Sequence, residues 1–449
     1  MPSCSAIRIE GCFQTAPEAE SESLVSGRVH VLGSGNVGTF IAQSLAKRQS
    51  PPEVTLFMAN WGMFEAYRQR KKRLAITYDG LSDGLKNGVD IEVLEGNKWF
   101  KLPRDYGEKY KDNGQRIIQE EGTARLRSSK DPIDCLVVSC KSNHAFLGIR
   151  SLAYRLSSKS TILITQNGLG IVERLNRFIF TNPSVRPQYL HAVFSHGLDK
   201  KDMYQVKYKK VGMTSIAPPV TAGEMSLMKP EDDTTWAPST KYLARLFTLT
   251  PSLTAVVNTP TNVLMYQLEK LAVSCVIEPL TAINDCRNGD LLYVESVSRI
   301  MRLLLFEISR VILALPELQG VPGLEDRFEP ERLRRMAVFV LNQTRDNTST
   351  MLHDVRGRKG TEIEYLNGYI VRRGEELGIT CVLNYMIKHL IHGKQVVNNR
   401  QEAEAIPIDA GSRSTDSHHL TGFHLNPIPR KNTQPSQSVD DDHIKFESP

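Results

Sequence analysis

Apolar residues fall into short runs over the first half of the chain and at helical spacing over the second. Val29-His30-Val31-Leu32, Val54 to Met58, Cys135 to Ser139 and Thr161 to Thr165 each read as a buried strand. Continuous apolar runs of this kind suit a parallel sheet covered on both faces. Between the first two, Val37, Phe40, Ile41 and Leu45 recur at helical spacing as far as Arg48, and a further helix is expected from about His144 to Leu156. Ile91-Glu92-Val93 and Trp99-Phe100-Lys101-Leu102 suggest an inserted hairpin, and the mostly charged stretch from Asp105 to Arg125 suggests surface. Residues 189–217 read as the sheet's last strands: Ala192-Val193-Phe194, an alternating Tyr204 to Tyr208, and Val211 to Ile216. From Lys241 to about Leu390 the pattern is mostly helical, with helices near Val294 to Leu315, Pro330 to Thr344 and Glu362 to Leu377.

Punctuation sets the expected boundaries. Pro218, Pro219, Pro230 and Pro238 with several acids mark 218–240 as a linker or insertion. Residues 1–27 read as a flexible lead and 396–449, rich in Ser, Asn, Pro, Asp and His, as a disordered tail. The expected units are therefore 28–217 and 241–395.

Composition narrows the class. With 449 residues the chain can bury at least two cores, and 24% charged with 40% hydrophobic residues is ordinary for a globular protein. A net charge of +6 suits an anionic small molecule without demanding nucleic acid, and no motif combines aromatic with basic residues. No apolar run reaches the ~18 residues of a membrane span. Cys135, Cys140, Cys275 and Cys381 lie in apolar segments and read as buried thiols, which fits a reducing compartment. The lead has no apolar h-region, so the expected location is cytoplasmic, with mitochondrial as the alternative.

The first run leads straight into Gly33-Ser34-Gly35-Asn36-Val37-Gly38 and then a helix, the setting that the GxGxxG fingerprint of dinucleotide binding requires. The first glycine permits the tight turn, the second lets a pyrophosphate approach the backbone, and the third lets helix and strand pack closely. The bland alternative is a structural turn. An acid at the end of the second strand would grip a ribose 2′-hydroxyl, but that strand ends Met58-Ala59-Asn60-Trp61. Arg68, Arg70, Lys71, Lys72 and Arg73 follow, which leans toward a 2′-phosphate and NADP unless the run is simply a solvated helix face. Lys141 and Asn167 both stand where parallel strands end, the place where an open α/β sheet binds its ligand. His196 is a candidate proton donor, although a loop histidine near a sheet edge is as readily structural. His389 and His392 share a helix face, yet no acid motif beside them argues for a metal.

The stretch Val263 to Leu291, VLMYQLEKLAVSCVIEPLTAINDCRNGDL, carries the most chemistry. Lys270, Ser274 and Glu278 stand at i, i+4 and i+8 on one face of an otherwise apolar helix. Such a stripe is costly to bury unless its groups meet partners or a ligand, the alternative being a core helix whose lysine snorkels to water. Pro279 should bend the helix beside Glu278.

This stretch resembles the active-site helix of ketopantoate reductases, whose pattern runs Lys-Leu-x-x-Asn-x-x-x-Asn-Pro-Leu-Thr-Ala and then Asn-Gly. Lys270-Leu271, Pro279-Leu280-Thr281-Ala282 and Asn288-Gly289 match, while Ser274 and Glu278 stand where the family has asparagine. The run Asn347 to Gly368 is similar to the family's Ser-Ser-Met-x-x-Asp, basic loop, and Thr-Glu-Ile-Asp-x-Ile-Asn-Gly. There Thr350 falls on a substrate-holding serine and Glu362 on a glutamate of the cofactor and catalytic cleft, with Thr361 as the expected helix N-cap. The arginine that the family often carries near Asn60 is missing.

The resemblance spans about Arg28 to Lys394. It implies an α/β fold: an N-terminal Rossmann-type dinucleotide-binding domain followed by an all-helical C-terminal domain, with the site between them. It implies that NADPH reduces 2-dehydropantoate to pantoate for pantothenate and coenzyme A synthesis, with Lys270 as general acid. Gly33 to Gly38, Lys141, Asn167 and Glu362 would hold NADP. Asn167, Ser274, Glu278, Asn288 and Thr350 would hold the substrate, without a metal. A small 2-oxo acid is the expected partner and a homodimer is possible. Two alternatives follow from Ser274 and Glu278: a reductase of another 2-oxo acid, since a carboxylate repels an anionic substrate unless protonated or paired, and a non-catalytic NADP-binding regulatory protein.

Overall fold

The computed structural model describes residues 25–104, 106, 128–220 and 236–404. The expected lead through Leu24, most of the charged stretch after Arg104, most of the 218–240 insertion and the tail from residue 405 lie outside the described residues.

The sheet region alternates strand and helix: β1 (Arg28–Leu32), α1 (Asn36–Ala46), β2 (Glu53–Met58), α2 (Trp61–Gln69), β3 (Arg73–Tyr78), β4 (Leu81–Lys86), β5 (Asp90–Glu95) and β6 (Lys98–Leu102). It continues through β7 (Cys135–Val138), α3 (Ser142–Leu152), β8 (Thr161–Ile164), α4 (Ile171–Phe178), β9 (Gln188–Phe194), β10 (Gly197–Asp202), β11 (Gln205–Lys210) and β12 (Thr214–Ala217), then α5 (Pro238–Thr248) and β13 (Ala255–Val257). The main sheet runs β13-β12-β9-β8-β7-β1-β2-β5-β6. Its middle, from β9 to β5, is all parallel. One apolar cluster joins α1, α2 and α5 to one face, and another joins α3 and α4 to the other. Covering both faces is what lets these strands be continuously apolar.

Three expectations need correction here. The hairpin β5–β6 is part of the main sheet, because β5 pairs in parallel with β2. Part of residues 189–217 leaves the main sheet: β10 and β11 join β3 and β4 in a second, four-stranded sheet of order β10-β11-β3-β4. The unit boundary expected at 240 moves as well, since α5 packs beneath the strands and β13, the final strand that the family resemblance places near Ala255 to Asn258, pairs with β12.

The helical region comprises α6 (Pro260–Asn284), α7 (Glu295–Leu313), α8 (Leu324–Arg327), α9 (Pro330–Gln343), α10 (Thr350–Arg356), α11 (Asn367–Glu376) and α12 (Val382–Glu404) around a single apolar cluster. The helix expected from Glu362 begins only at Asn367, because Leu366 adopts φ −102° and ψ −103°; a 3-10 turn, Ile363–Tyr365, precedes it. Thr361 does not cap it, and its hydroxyl donates to Gln395 at 3.3 Å. α12 extends past the tail boundary expected at 396. No helix among the described residues is long and apolar enough to cross a membrane.

Candidate functional site

α6 is about 37 Å long at 1.5 Å per residue and forms the spine of the helical core. From Gln267 to Ala282 every residue is buried except Lys270, Ser274 and Glu278. The stripe expected from their spacing is therefore the one face of this span that core packing does not cover. The helix continues through Pro279. A proline has no N–H to offer the carbonyl four residues back, and here Asn367 Nδ2 donates to that Cys275 carbonyl at 3.0 Å. The buried Asn367 thus supports the helix one turn from Glu278.

Strand ends meet this stripe. Lys270 Nζ donates to the Phe194 carbonyl at the end of β9, at 2.7 Å. Burial lowers its pKa to about 8, against the opposing charges of Glu278 and Glu362. Glu278 moves the other way: burial, then the charge of Glu362, raises its carboxyl to about 7, while hydrogen bonds from Thr350 and Ser274 and the charge of Lys141 oppose the shift. The Thr350 hydroxyl donates to Glu278 Oε2 at 2.8 Å.

The glycine turn is linked to this group through the end of β7, where Gly33 packs on Cys140 and the neighbouring Lys141 carries a charge felt by Glu278. Gly33, at φ +115°, is the position where a side chain is both strained and blocked, since a Cβ would lie 2.4 Å from the Cys140 amide nitrogen. A Cβ on Gly38 would lie 1.8 Å from the Gly33 carbonyl oxygen, so this glycine serves helix–strand packing. Around a Cβ on Gly35 there is no atom within 4 Å. Its backbone is extended, at φ −71° and ψ −169°, so any residue fits its conformation and only close approach by a ligand calls for glycine. Ser34 is buried, Val37 packs on the sheet core, and Asn36 turns its amide toward the Leu198 carbonyl at 3.5 Å. At the neighbouring strand ends, Ser142 Oγ and Gln166 Oε1 are buried without protein partners. An open backbone approach, a helix N-terminus and orphaned polar atoms together fit a dinucleotide.

Lys141 immediately precedes α3 and forms an ion pair with Asp354, and Glu362 Oε1 accepts from the Ser142 amide at 2.7 Å. The two contacts join the sheet region to the helical region across the cleft. Asp354 lies inside the motif read from the sequence, but its partnership with Lys141, 213 positions away, needed the fold to become visible. Asn167 is partly buried in the loop after β8, whose Leu169 amide donates to the Tyr365 carbonyl at 3.0 Å.

Two sequence candidates stand apart from this cluster. Asn288 Nδ2 donates to the Thr344 hydroxyl at 2.9 Å, and its Oδ1 is buried without a partner. His196 has both ring nitrogens engaged, by the Tyr208 hydroxyl at 2.8 Å and the Leu253 carbonyl at 3.0 Å, which makes it structural. His392 pairs with Glu364 and His389 lies against Tyr385; no cluster among the described residues is set to hold a metal. Much of the basic run is engaged as well. Arg68 pairs with Glu65, Arg70 with Asp202 and Gln205, and the buried Lys72 donates to the Arg104 carbonyl.

Residues 85–220 match the family model of ketopantoate reductase PanE/ApbA, and 262–395 match that of its C-terminal domain. The 2-dehydropantoate 2-reductase of Vibrio cholerae is 30% identical over 251 residues, covering 56% of this chain and 74% of that protein. The chain belongs to the ketopantoate reductase family. The family is one of oxidoreductases acting on a CH–OH group. The 2-dehydropantoate 2-reductase of Saccharomyces cerevisiae is 26% identical over 399 residues, covering 82% of this chain and 95% of that protein. Among solved structures, D-mandelate dehydrogenase with NADH and anilino(oxo)acetate superposes with a TM-score of 0.57 at 17% identity, covering 83% of this chain and 99% of that one. That likeness bears on the fold, which for ketopantoate reductases is a Rossmann-like sheet region followed by a helical region.

Proposed function

We propose that this chain is an NADPH-dependent 2-dehydropantoate 2-reductase, making pantoate for pantothenate and coenzyme A synthesis. The observation that carries the reading is Lys270, a cation on the uncovered stripe of α6 that meets the strand ends beside the glycine turn. Bound NADPH would supply the hydride. Lys270 Nζ holds a proton for the ketone oxygen as it becomes an alkoxide, and its charge stabilises that oxygen. A pKa of about 8 leaves it protonated at neutral pH yet a better acid than an ordinary lysine. The glycine turn and the start of α1 would hold the pyrophosphate, with Lys141, Asn167 and Glu362 lining the cleft. Ser274, Glu278 and Thr350 would meet the substrate. Asn288 would reach it only if its amide leaves Thr344. NADPH oxidation on adding 2-dehydropantoate tests the reading.

β2 ends without an acid, so NADPH is expected to bind more tightly than NADH. The paired state of much of the basic run leaves this as the main support. Equal affinities in a fluorescence titration would contradict it.

Glu278 favours a second reading, a reductase of another 2-oxo acid. Above pH 7 its carboxyl ionises and repels an anionic substrate; above pH 8 Lys270 loses its proton. Both losses act in one direction, so kcat/KM for 2-dehydropantoate should fall with rising pH, first through a partial step near pH 7 from Glu278 and then with a slope of about one proton above pH 8 from Lys270. In Glu278→Asn the step near pH 7 should disappear, and kcat/KM between pH 7 and 8 should rise by up to roughly 5- to 150-fold, the span of one coupling of about 1–3 kcal/mol. Unchanged profiles would remove Glu278 from substrate binding. A variant slower at every pH would make the carboxylate a working part of the site.

A further inference from the structure

α12 carries a polar stripe that is not part of the cleft. Lys388, His392, Gln395 and Asn398 follow at spacings of four, three and three, so they share one helix face. Ile387 and Ile391 are buried in the helical core. Each stripe residue meets the segment from Val355 to Glu364. Lys388 and His392 contact the Glu364 carboxylate at 3.4 and 2.8 Å. Gln395 Nε2 donates to the Lys359 carbonyl at 3.0 Å, and its Oε1 accepts from the Thr361 hydroxyl at 3.3 Å. Asn398 Nδ2 donates to the Val355 carbonyl at 3.3 Å. On the same helix Lys394 Nζ donates to the Ala282 and Ile283 carbonyls at 2.7 and 3.0 Å. These belong to the last turn of α6, where helix carbonyls lack intrahelical partners.

Polar contacts hold the clasped segment: besides the α12 stripe, Asn143 Nδ2 donates to the Gly360 carbonyl at 2.8 Å and Arg356 Nε to Asp285 at 2.9 Å. Arg356, Gly357, Arg358, Lys359 and Gly360 are all exposed, so apolar burial does not hold them. The loop nevertheless separates Asp354, paired with Lys141, from Glu362, bonded to the Ser142 amide. Asn398 also lies beyond residue 395, where the family match ends.

We propose that the Lys388-His392-Gln395-Asn398 face of α12 is a strap that positions Asp354 and Glu362 at the cofactor cleft, with Gln395 as its main positioning residue. The consequence for NADPH rests on the dinucleotide-binding reading above. The exposed contacts to Glu364, an ion pair from Lys388 and a hydrogen bond with His392, contribute little. The Gln395 amide fixes the loop backbone at Lys359, and Asn398 holds the Val355 carbonyl in the last turn of α10, which leads into the loop.

The test uses the full chain and a Gln395→Ala/Asn398→Ala double variant, with Gln395→Glu as the conservative control. Glutamate keeps the acceptor for Thr361 and loses the donor to Lys359. NADPH affinity is read by fluorescence titration, trypsin cleavage after Arg358 and Lys359 by mass spectrometry, and global stability by thermal melting. The double variant loses three hydrogen bonds to the segment, each worth about fivefold, and with only part of that reaching the cleft it should bind NADPH roughly five- to twentyfold more weakly. It should be cut faster in this loop, with Gln395→Glu between it and wild type. General loosening would speed cleavage throughout the chain and lower the melting temperature, and that pattern overturns the proposal. So does a change in only one of the two readouts, or in neither. If wild type does not bind NADPH, the dinucleotide reading fails, and loop cleavage alone decides whether the strap holds the loop. If the double variant does not fold, Asn398→Ala carries the same readouts.

Discussion

Lys270→Ala should lower kcat by about 10²- to 10⁴-fold, the usual contribution of one positioned general acid, while NADPH affinity stays within about twofold. The lysine lies on the uncovered stripe of α6 and holds the Phe194 carbonyl through its Nζ, so its loss removes a cation and one hydrogen bond without opening the apolar core. The alkaline limb that Lys270 imposes near pH 8 should vanish with it. The burial that lowers its pKa disfavours the charged form, so the limb is a loss of activity as pH rises. A kcat loss below tenfold, or a limb that persists in the variant, would take Lys270 out of the chemistry.

Gly35→Leu should weaken NADPH binding by about a hundredfold or more, because its side chain would fill the space through which a pyrophosphate approaches the backbone. The variant should still fold. A Cβ at Gly35 meets nothing within 4 Å, and its extended backbone suits leucine. Neither flanking glycine gives so clean a test. Alanine at Gly33 or Gly38 would press on the Cys140 amide or the Gly33 carbonyl and disturb the fold itself. A Gly35→Leu protein that melts like wild type and binds NADPH undiminished would reduce the glycine motif to a structural turn.

What the sequence disclosed follows from local physics. β1, β2, β7 and β8 are continuous apolar runs because they lie in a sheet covered on both faces. The Lys270-Ser274-Glu278 stripe was legible because three polar residues at helical spacing stand out against an apolar helix. The second sheet was not, since β4, Leu81–Lys86, has an exposed pattern with little alternation, and β3 finds its partner β11 more than a hundred residues away. The break at Leu366 hid behind a sequence that reads as one continuous helix from Glu362. The extension of α12 looked like a tail because its composition is polar, and composition does not show partners such as the one Asn398 finds in the Val355 carbonyl. The pairings of Lys141 with Asp354 and of Glu362 with Ser142 arise only when the helical region folds over the strand ends. Asn288 matched a motif, but the fold gives its amide to Thr344.

The central claim is that this cleft reduces a 2-oxo acid with NADPH. Steady-state NADPH oxidation by the purified chain, with 2-dehydropantoate and a panel of other 2-oxo acids, tests it most directly. The account predicts saturable turnover with 2-dehydropantoate that Lys270→Ala abolishes nearly completely. Turnover of a different 2-oxo acid alone would keep the chemistry and move the substrate, as Glu278 allows. An absence of turnover with every oxo acid, by a protein that binds NADPH, would contradict the account.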